Sequence, residues 1–264
     1  MARVEIHREG PVARVELNRP EKHNGMDLEM IDALIAAAAS LKTDRQIRAI
    51  ILHGAGPSFC AGLDIQSITG KPATLAKAAM SLLKPTANRF QRVNLCWRDL
   101  SVPVIAAIHG NCFGAGMQLA LGADIRLAEP AARLAVMEAK WGLVPDMGGT
   151  VLLREVVSKD VALDLTWSAR QISGDEAQQI GLVTRVVPHA LEAARSLADE
   201  IADRSPDATA GAKHLFTEAW GADEADALAA ERRWQLRMLR CKNQRIATKR
   251  NLKDPQAPYE ERSW

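Results

Sequence analysis

Twice in this chain a short apolar strand runs straight into a glycine-rich turn, and a third such turn follows before residue 150. Val104–Ile108 leads through His109 into Gly110-Asn-Cys-Phe-Gly-Ala-Gly116, which opens the apolar helical stretch Met117–Leu121. Upstream, Ala49–Leu52 leads into His53-Gly-Ala-Gly-Pro-Ser-Phe-Cys-Ala-Gly-Leu-Asp64. Downstream comes Met137-Glu-Ala-Lys-Trp-Gly-Leu-Val-Pro-Asp-Met-Gly-Gly-Thr150. Glycine at such corners permits close backbone approach and φ values closed to other residues. A helix that starts on one leaves N–H groups without intrahelical acceptors, at the end where its dipole favours negative charge. A chain built this way alternates strands and helices around corners that can hold an anion. The competing use of the same glycines is tight helix–strand packing.

Two nucleotide readings fail. From Gly114 a dinucleotide fingerprint finds its second glycine at Gly116 but meets Leu119 where the third belongs, and no Lys follows these glycines as a P-loop requires. The bulk properties exclude other classes. A formal charge of +2 argues against a dedicated nucleic-acid binder, and 47% apolar with 25% charged residues is ordinary for a soluble globular chain. Cys60, Cys96, Cys112 and Cys241 form no C-x-x-C pair, which points to a reducing compartment without disulfides and without a zinc site. No apolar run approaches the roughly 18 residues of a membrane span, and no secretory segment precedes the first strand, so a cytoplasmic location is expected.

Taken in order, Ser58-Phe-Cys-Ala-Gly-Leu-Asp64, His109-Gly-x-x-x-Gly-Ala-Gly116 and Glu138-x-x-x-Gly-Leu-x-Pro-Asp-x-Gly-Gly-Thr150 resemble the crotonase superfamily, which includes the enoyl-CoA hydratases and isomerases. The resemblance runs from Asn18-Arg-Pro-Glu-Lys-His-Asn24 to the Ile172–Val183 segment. It implies an α/β fold, a spiral of ββα units over residues 1–195, followed by a helical trimerisation region over 196–264. It also implies an acyl-CoA thioester as substrate, no cofactor beyond its CoA moiety, no metal, and a homotrimer or dimer of trimers.

Local patterns agree with such a start. Val4–Ile6 and Val12–Leu17 alternate around a turn at Glu9–Pro11. Asp27 is placed to cap a helix carrying Ile31, Leu34, Ile35, Ala38 and Leu41 on one face. Ala123–Leu127 reads as a further strand. Residues 69–88 have weak periodicity and read as a variable loop or loose helices. Beyond Pro188 the chain reads as helices at Leu191–Arg204, Pro206–Trp220 and Glu224–Leu239, then a basic segment.

The α carbon of a CoA thioester is activated only when the carbonyl oxygen can carry negative charge, and two backbone N–H donors supply that stabilisation. By resemblance these are Leu63 N–H and Ala115 N–H. Glu138 falls where the family places an acid or base. Asp146, eight residues on, matches an acid of the dienoyl-CoA isomerases. The competing readings are that Asp146 caps the helix near Gly148 and that Glu138 pairs with a surface Arg. Hydration in this family resembles a two-glutamate chemistry, yet Gln118 stands at the first of those positions. An amide can hold a water but cannot take its proton. The expected activity is therefore double-bond isomerisation of an enoyl-CoA, in fatty-acid or related catabolism. Hydration with Gln118 positioning the water is the close alternative, and a non-catalytic acyl-CoA-binding protein is the alternative of another class.

The resemblance places Lys22 at the nucleotide end of CoA and Ala61, Asp64 and Ile65 at its adenine pocket; Phe90, Trp97, Phe113 and Trp141 fall near the acyl pocket. Nine basic and no acidic residues lie between Arg232 and Lys253. They read as a solvated face that also steers CoA rather than as a nucleic-acid or membrane surface. No other histidine shows ligand spacing, and His109 reads as structural.

Overall fold

Alternation along Val12–Leu17 turns Ala13, Val15 and Leu17 to one side of a sheet and Val12 to the other, and the whole architecture follows that division. In the computed structural model, which describes residues 2–70, 80 and 86–264, a hairpin of β1 (Val4–Glu9) and β2 (Val12–Leu17) turns at Gly10, whose φ is 60°. Strands β3 (Ala49–Gly54), β4 (Val104–Ile108), β6 (Ile125–Ala128) and β9 (Arg185–Val186) then add in parallel, giving the order β1-β2-β3-β4-β6-β9. A second sheet, order β5-β7-β8, is made of β5 (Asn111–Phe113), β7 (Arg133–Ala135) and β8 (Ile172–Ser173). Strands β4 and β5 and then β6 and β7 thus feed the two sheets in turn. An isolated bridge between Cys60 and Cys112 extends the second sheet to the first glycine-rich turn. This is the expected ββα spiral.

One face of the large sheet packs on helix α1 (Leu28–Thr43), which Asp27 caps by accepting Met30 N–H at 2.8 Å, and on the core around the fully buried Trp97. Short helices α2 (Ile65–Thr69), α3 (Arg89–Leu95), α4 (Ala115–Leu121), α5 (Gly149–Leu153), α6 (Lys159–Ser168) and α7 (Gly174–Gln179) follow in chain order. The other face, with Val12, Ala49, Ile51, Ile105, Ala107 and Leu127, is covered by α8 (Ala190–Ala202). Ala190, Ala194, Ala198 and Ala202 recur every four residues and are all buried, so a smooth stripe lies on the sheet. Residue 195 falls inside this helix. Because α8 is bound to the sheet along its length, the change in packing comes after Ala202 rather than at 195.

Helices α9 (Pro206–Ala219), α10 (Glu224–Arg240) and α11 (Lys242–Leu252) pack chiefly on one another. The basic segment that composition leaves undefined is largely α11. Lys213 ties this layer to the core, donating to Trp97 O (3.2 Å) and Val102 O (3.0 Å) and pairing with Asp124 (2.7 Å). All four cysteines are free and buried. Among the described residues no helix is long and apolar enough to cross a membrane. The stretch expected to vary over 69–88 falls mostly on residues 71–79 and 81–85, outside those described.

Candidate active site

The first glycine-rich turn is pinned by the Arg19–Asn24 segment. Asn24 adopts a left-handed φ of 57°, which Asn tolerates better than most residues. Its side-chain amide donates to Ala55 O (2.9 Å) and Ser58 O (2.7 Å), and its Oδ1 accepts Arg19 N–H (2.9 Å). Ala61 N–H donates to His23 O, and Met26 N–H to Gly62 O, so the turn cannot swing away from α1. The second turn docks on the first: Cys60 N–H donates to Asn111 O (2.9 Å) and Phe113 N–H to Cys60 O (3.0 Å). Gly62 and Gly114 both have positive φ, at 101° and 49°. A Cβ on Gly62 would stand 3.0 Å from Phe113 O and 3.8 Å from Ala115 N, so Leu63 and Ala115 belong to abutting corners. Ala115 opens α4 and has no intrahelical acceptor for its N–H. Among the described residues neither Leu63 N–H nor Ala115 N–H meets a protein acceptor.

Gly116 shows how tightly the corners are joined, since a Cβ there would lie 2.4 Å from Cys60 O and 2.7 Å from Cys60 Cβ. The obstacle is backbone, which cannot rotate aside. Gly116→Ala is expected to lower stability by about 3 kcal/mol, visible as a lower urea midpoint with unchanged slope.

Glu138 begins a 3₁₀ turn, Glu138–Trp141, beside the second corner; a Cβ on Gly114 would be 3.4 Å from its Oε1. That Oε1 accepts Nε2–H of Gln118 at 2.6 Å, while Oε2 is buried and meets no hydrogen-bond partner among the described residues. Gln118 is 1% exposed, and its Oε1 accepts Met147 N–H at 3.0 Å. The backbone donor settles the amide's orientation: the oxygen must face Met147, so the nitrogen must face Glu138. Asn94 holds the other end of the same residue, donating to Met147 O at 2.7 Å. Burial pushes the Glu138 carboxyl above its ordinary range and the Asp146 charge adds to this, while backbone hydrogen bonds and the Gln118 bond oppose it.

Asp146 lies on the loop between Glu138 and α5. Its side chain reaches solvent in the single chain, yet burial of part of its surroundings raises its carboxyl too, against a backbone hydrogen bond. It does not cap α5, whose N-cap is Gly148 at φ 90° with no side-chain acceptor. Nor does Glu138 pair with an Arg among the described residues; its partner is Gln118.

The residues assigned to CoA separate into two kinds. Lys22 closes a 3₁₀ turn, Pro20–Lys22, with an exposed side chain, and Ala61 and Ile65 are half-buried. Asp64 is engaged within the fold. Its carboxylate pairs with Arg19 at 2.8 Å and caps α2 by accepting Ser67 N–H at 3.1 Å. Burial pushes that carboxyl up, but Arg19, the Ser67 N–H and Lys22 together hold it below its ordinary range. Of the four aromatics, Trp97 is a core residue with its indole N–H on Val93 O (2.9 Å), whereas Trp141 stands 63% exposed. His109 bonds Gly56 O at 3.0 Å, a structural contact. Sequence reasoning missed Asn94 and the positioning use of Arg19 and Asn24. An Asn between a strand and a helix at a corner is a signal for the last, but nothing in the sequence marks Asn94.

The profile of the "Enoyl-CoA hydratase/isomerase" family matches residues 7–261. The chain is similar to enoyl-CoA hydratase EchA19 of Mycobacterium tuberculosis, 35% identical with 76% of this chain and 75% of that protein covered. It is also similar to the mitochondrial Delta(3,5)-Delta(2,4)-dienoyl-CoA isomerase of Rattus norvegicus, 34% identical over 76% of this chain and 64% of that one. Among solved structures, an enoyl-CoA hydratase from Bacillus anthracis superposes with a TM-score of 0.89 at 27% identity, covering 98% of this chain and 99% of that one. Pseudomonas aeruginosa DspI gives 0.87 at 29% identity, covering 99% and 97%.

Proposed function

The chain belongs to the enoyl-CoA hydratase/isomerase family of enzymes that act on acyl-CoA, and from that premise we propose that it moves the double bond of an enoyl-CoA thioester. The carrying observation is the Glu138 carboxylate, buried, bonded by an amide and not by a second carboxylate, with Asp146 as the next acid along the same loop. In this reading Leu63 N–H and Ala115 N–H converge on the thioester oxygen and hold the enolate. One of Glu138 and Asp146 removes a proton from carbon, the electron pair shifts through the enolate, and a proton returns at the far end of the allylic system. No water is consumed, and the burial that raises Glu138 above the ordinary carboxylate range favours its holding the proton that it takes and returns.

Lys22, with the backbone around Ala61, Asp64 and Ile65, would receive the nucleotide end of CoA. Exposed Phe216, Trp220 and Leu252 on the helical layer are the surfaces on which a homotrimer or dimer of trimers would close. Hydration is the second reading, favoured by the hydratase names of several relatives. It would have Glu138 and Asp146 share the water, because Gln118 already gives its oxygen to Met147.

The test is purified protein with crotonyl-CoA and with a 3-enoyl-CoA in deuterated buffer. The expected product of the 3-enoyl ester carries deuterium and a moved double bond, with no added water. A product heavier by one water would replace isomerisation by hydration. No change in either ester, with saturable binding of both, would leave an acyl-CoA-binding protein.

A further inference from the structure

Helix α1 starts at Asp27, beside the Met26–Leu63 bridge, and runs sixteen residues, about 24 Å at 1.5 Å per residue, to Asp44. At that far end lies an open hollow of about 1110 Å³, bounded among others by Arg45, Arg237, Arg240, Tyr259, Arg262 and Trp264. Its walls are rich in donors. Arg262 is only 3% exposed; its Nη1 donates to Trp264 O and its Nη2 to Asp44 O at 2.6 Å. Its Nε–H and the indole N–H of Trp264 are both buried and meet no acceptor among the described residues. Arg237 lies over the Trp264 and Trp234 rings, at 4.3 and 5.0 Å from their centroids, which fixes its guanidinium at the wall.

The charge is uncompensated as well. Arg45, Arg237 and Arg240 pair with no carboxylate among the described residues. The two acids at the rim are engaged elsewhere, Glu260 by Lys242 (3.2 Å) and Glu261 by the Gln46 amide (3.1 Å). Burial and the neighbouring Arg45 hold the Arg262 guanidinium below its ordinary value, against the pull of Asp44 and Asp207. Converging cations cost free energy that an oxyanion would return.

We propose that this hollow binds a phosphate-bearing polyanion, its oxygens accepting from the exposed guanidinium groups of Arg45, Arg237 and Arg240, which close around the charge. Guanidinium groups suit phosphoryl oxygens because they present paired, coplanar donors. The site is independent of the reaction assigned above. The anion is a free oligophosphate rather than the phosphorylated end of CoA, and competition separates the two.

The experiment is isothermal titration of the full chain with pyrophosphate, repeated with Arg45→Gln/Arg240→Gln and in the presence of saturating acyl-CoA. Both arginines are exposed, so the double variant is expected to melt like the parent. The expected result is saturable binding, at least tenfold weaker in the double variant and unmoved by acyl-CoA. Absence of saturable binding, or equal binding by the variant, would overturn the site. Displacement by acyl-CoA would overturn it as a separate site and return its arginines to the CoA path.

Discussion

Glu138→Gln is expected to lower kcat on the 3-enoyl-CoA ester by about 10³-fold or more, within the range that a positioned proton-transfer group supplies, while acyl-CoA binding changes by less than about threefold. The amide keeps the shape of the side chain and can still accept Gln118 Nε2–H through its oxygen. What it loses is the capacity to take a proton, and the proposed chemistry needs that at carbon. The variant also separates catalysis from folding by its sign. Because burial raises the Glu138 carboxyl above 4.5, the folded chain holds a proton there more tightly than the unfolded chain does. Stability linked to this group is present at low pH and is lost as pH rises from 4.5 through the folded value. Ionised Glu138 therefore costs stability at pH 7, and the neutral amide should leave the melting temperature unchanged or higher there. Lost turnover with an undiminished Tm is the expected pair, measured by single-turnover kinetics and a thermal melt. Full turnover would remove Glu138 from the chemistry. The parent's kcat/KM should also have its acidic limb above the ordinary carboxylate range.

The corners of the fold were legible because their cause is local. Gly54, Gly62, Gly110 and Gly116 each sit where a Cβ would meet backbone within about 3 Å, so the glycines themselves disclose where strands end and chains touch. The cap at Asp27 was legible for the same reason, and so was the alternation of Val12–Leu17. Less visible was anything decided by distant partners. Position 195 marks no change in composition, and only the stripe Ala190-Ala194-Ala198-Ala202 lying on the sheet shows that α8 belongs to it. The spacing of Glu138 and Asp146 is readable in one loop. The orientation of Gln118 is not, because it depends on Met147 N–H, 29 residues away, with that residue's carbonyl held by Asn94. Likewise Asp64 has the residue type of a ligand contact, but Arg19, 45 residues upstream, takes its carboxylate.

That hidden contact makes Gln118 the position at which isomerase and hydratase chemistry should divide. In Gln118→Glu, Met147 N–H would still be accepted by one carboxylate oxygen, leaving the other where Nε2 was, about 2.6 Å from Glu138 Oε1. Two carboxylates so close cannot both ionise, and the pair would share one proton with macroscopic pKa values pushed apart. Such a pair can hold a water and also take its proton, the second of which the parent's amide cannot do. Hydration of crotonyl-CoA is expected to rise by about 10²-fold over the parent, with the product heavier by one water, while double-bond movement falls. The variant should also lose stability relative to the parent as pH rises, since the shared proton is held only in the folded state and its loss leaves two buried charges in contact. If the variant folds, binds acyl-CoA and hydrates no faster than the parent, position 118 does not choose the reaction. The choice would then rest with Asp146, whose replacement by Ala would be the next measurement in the same assay.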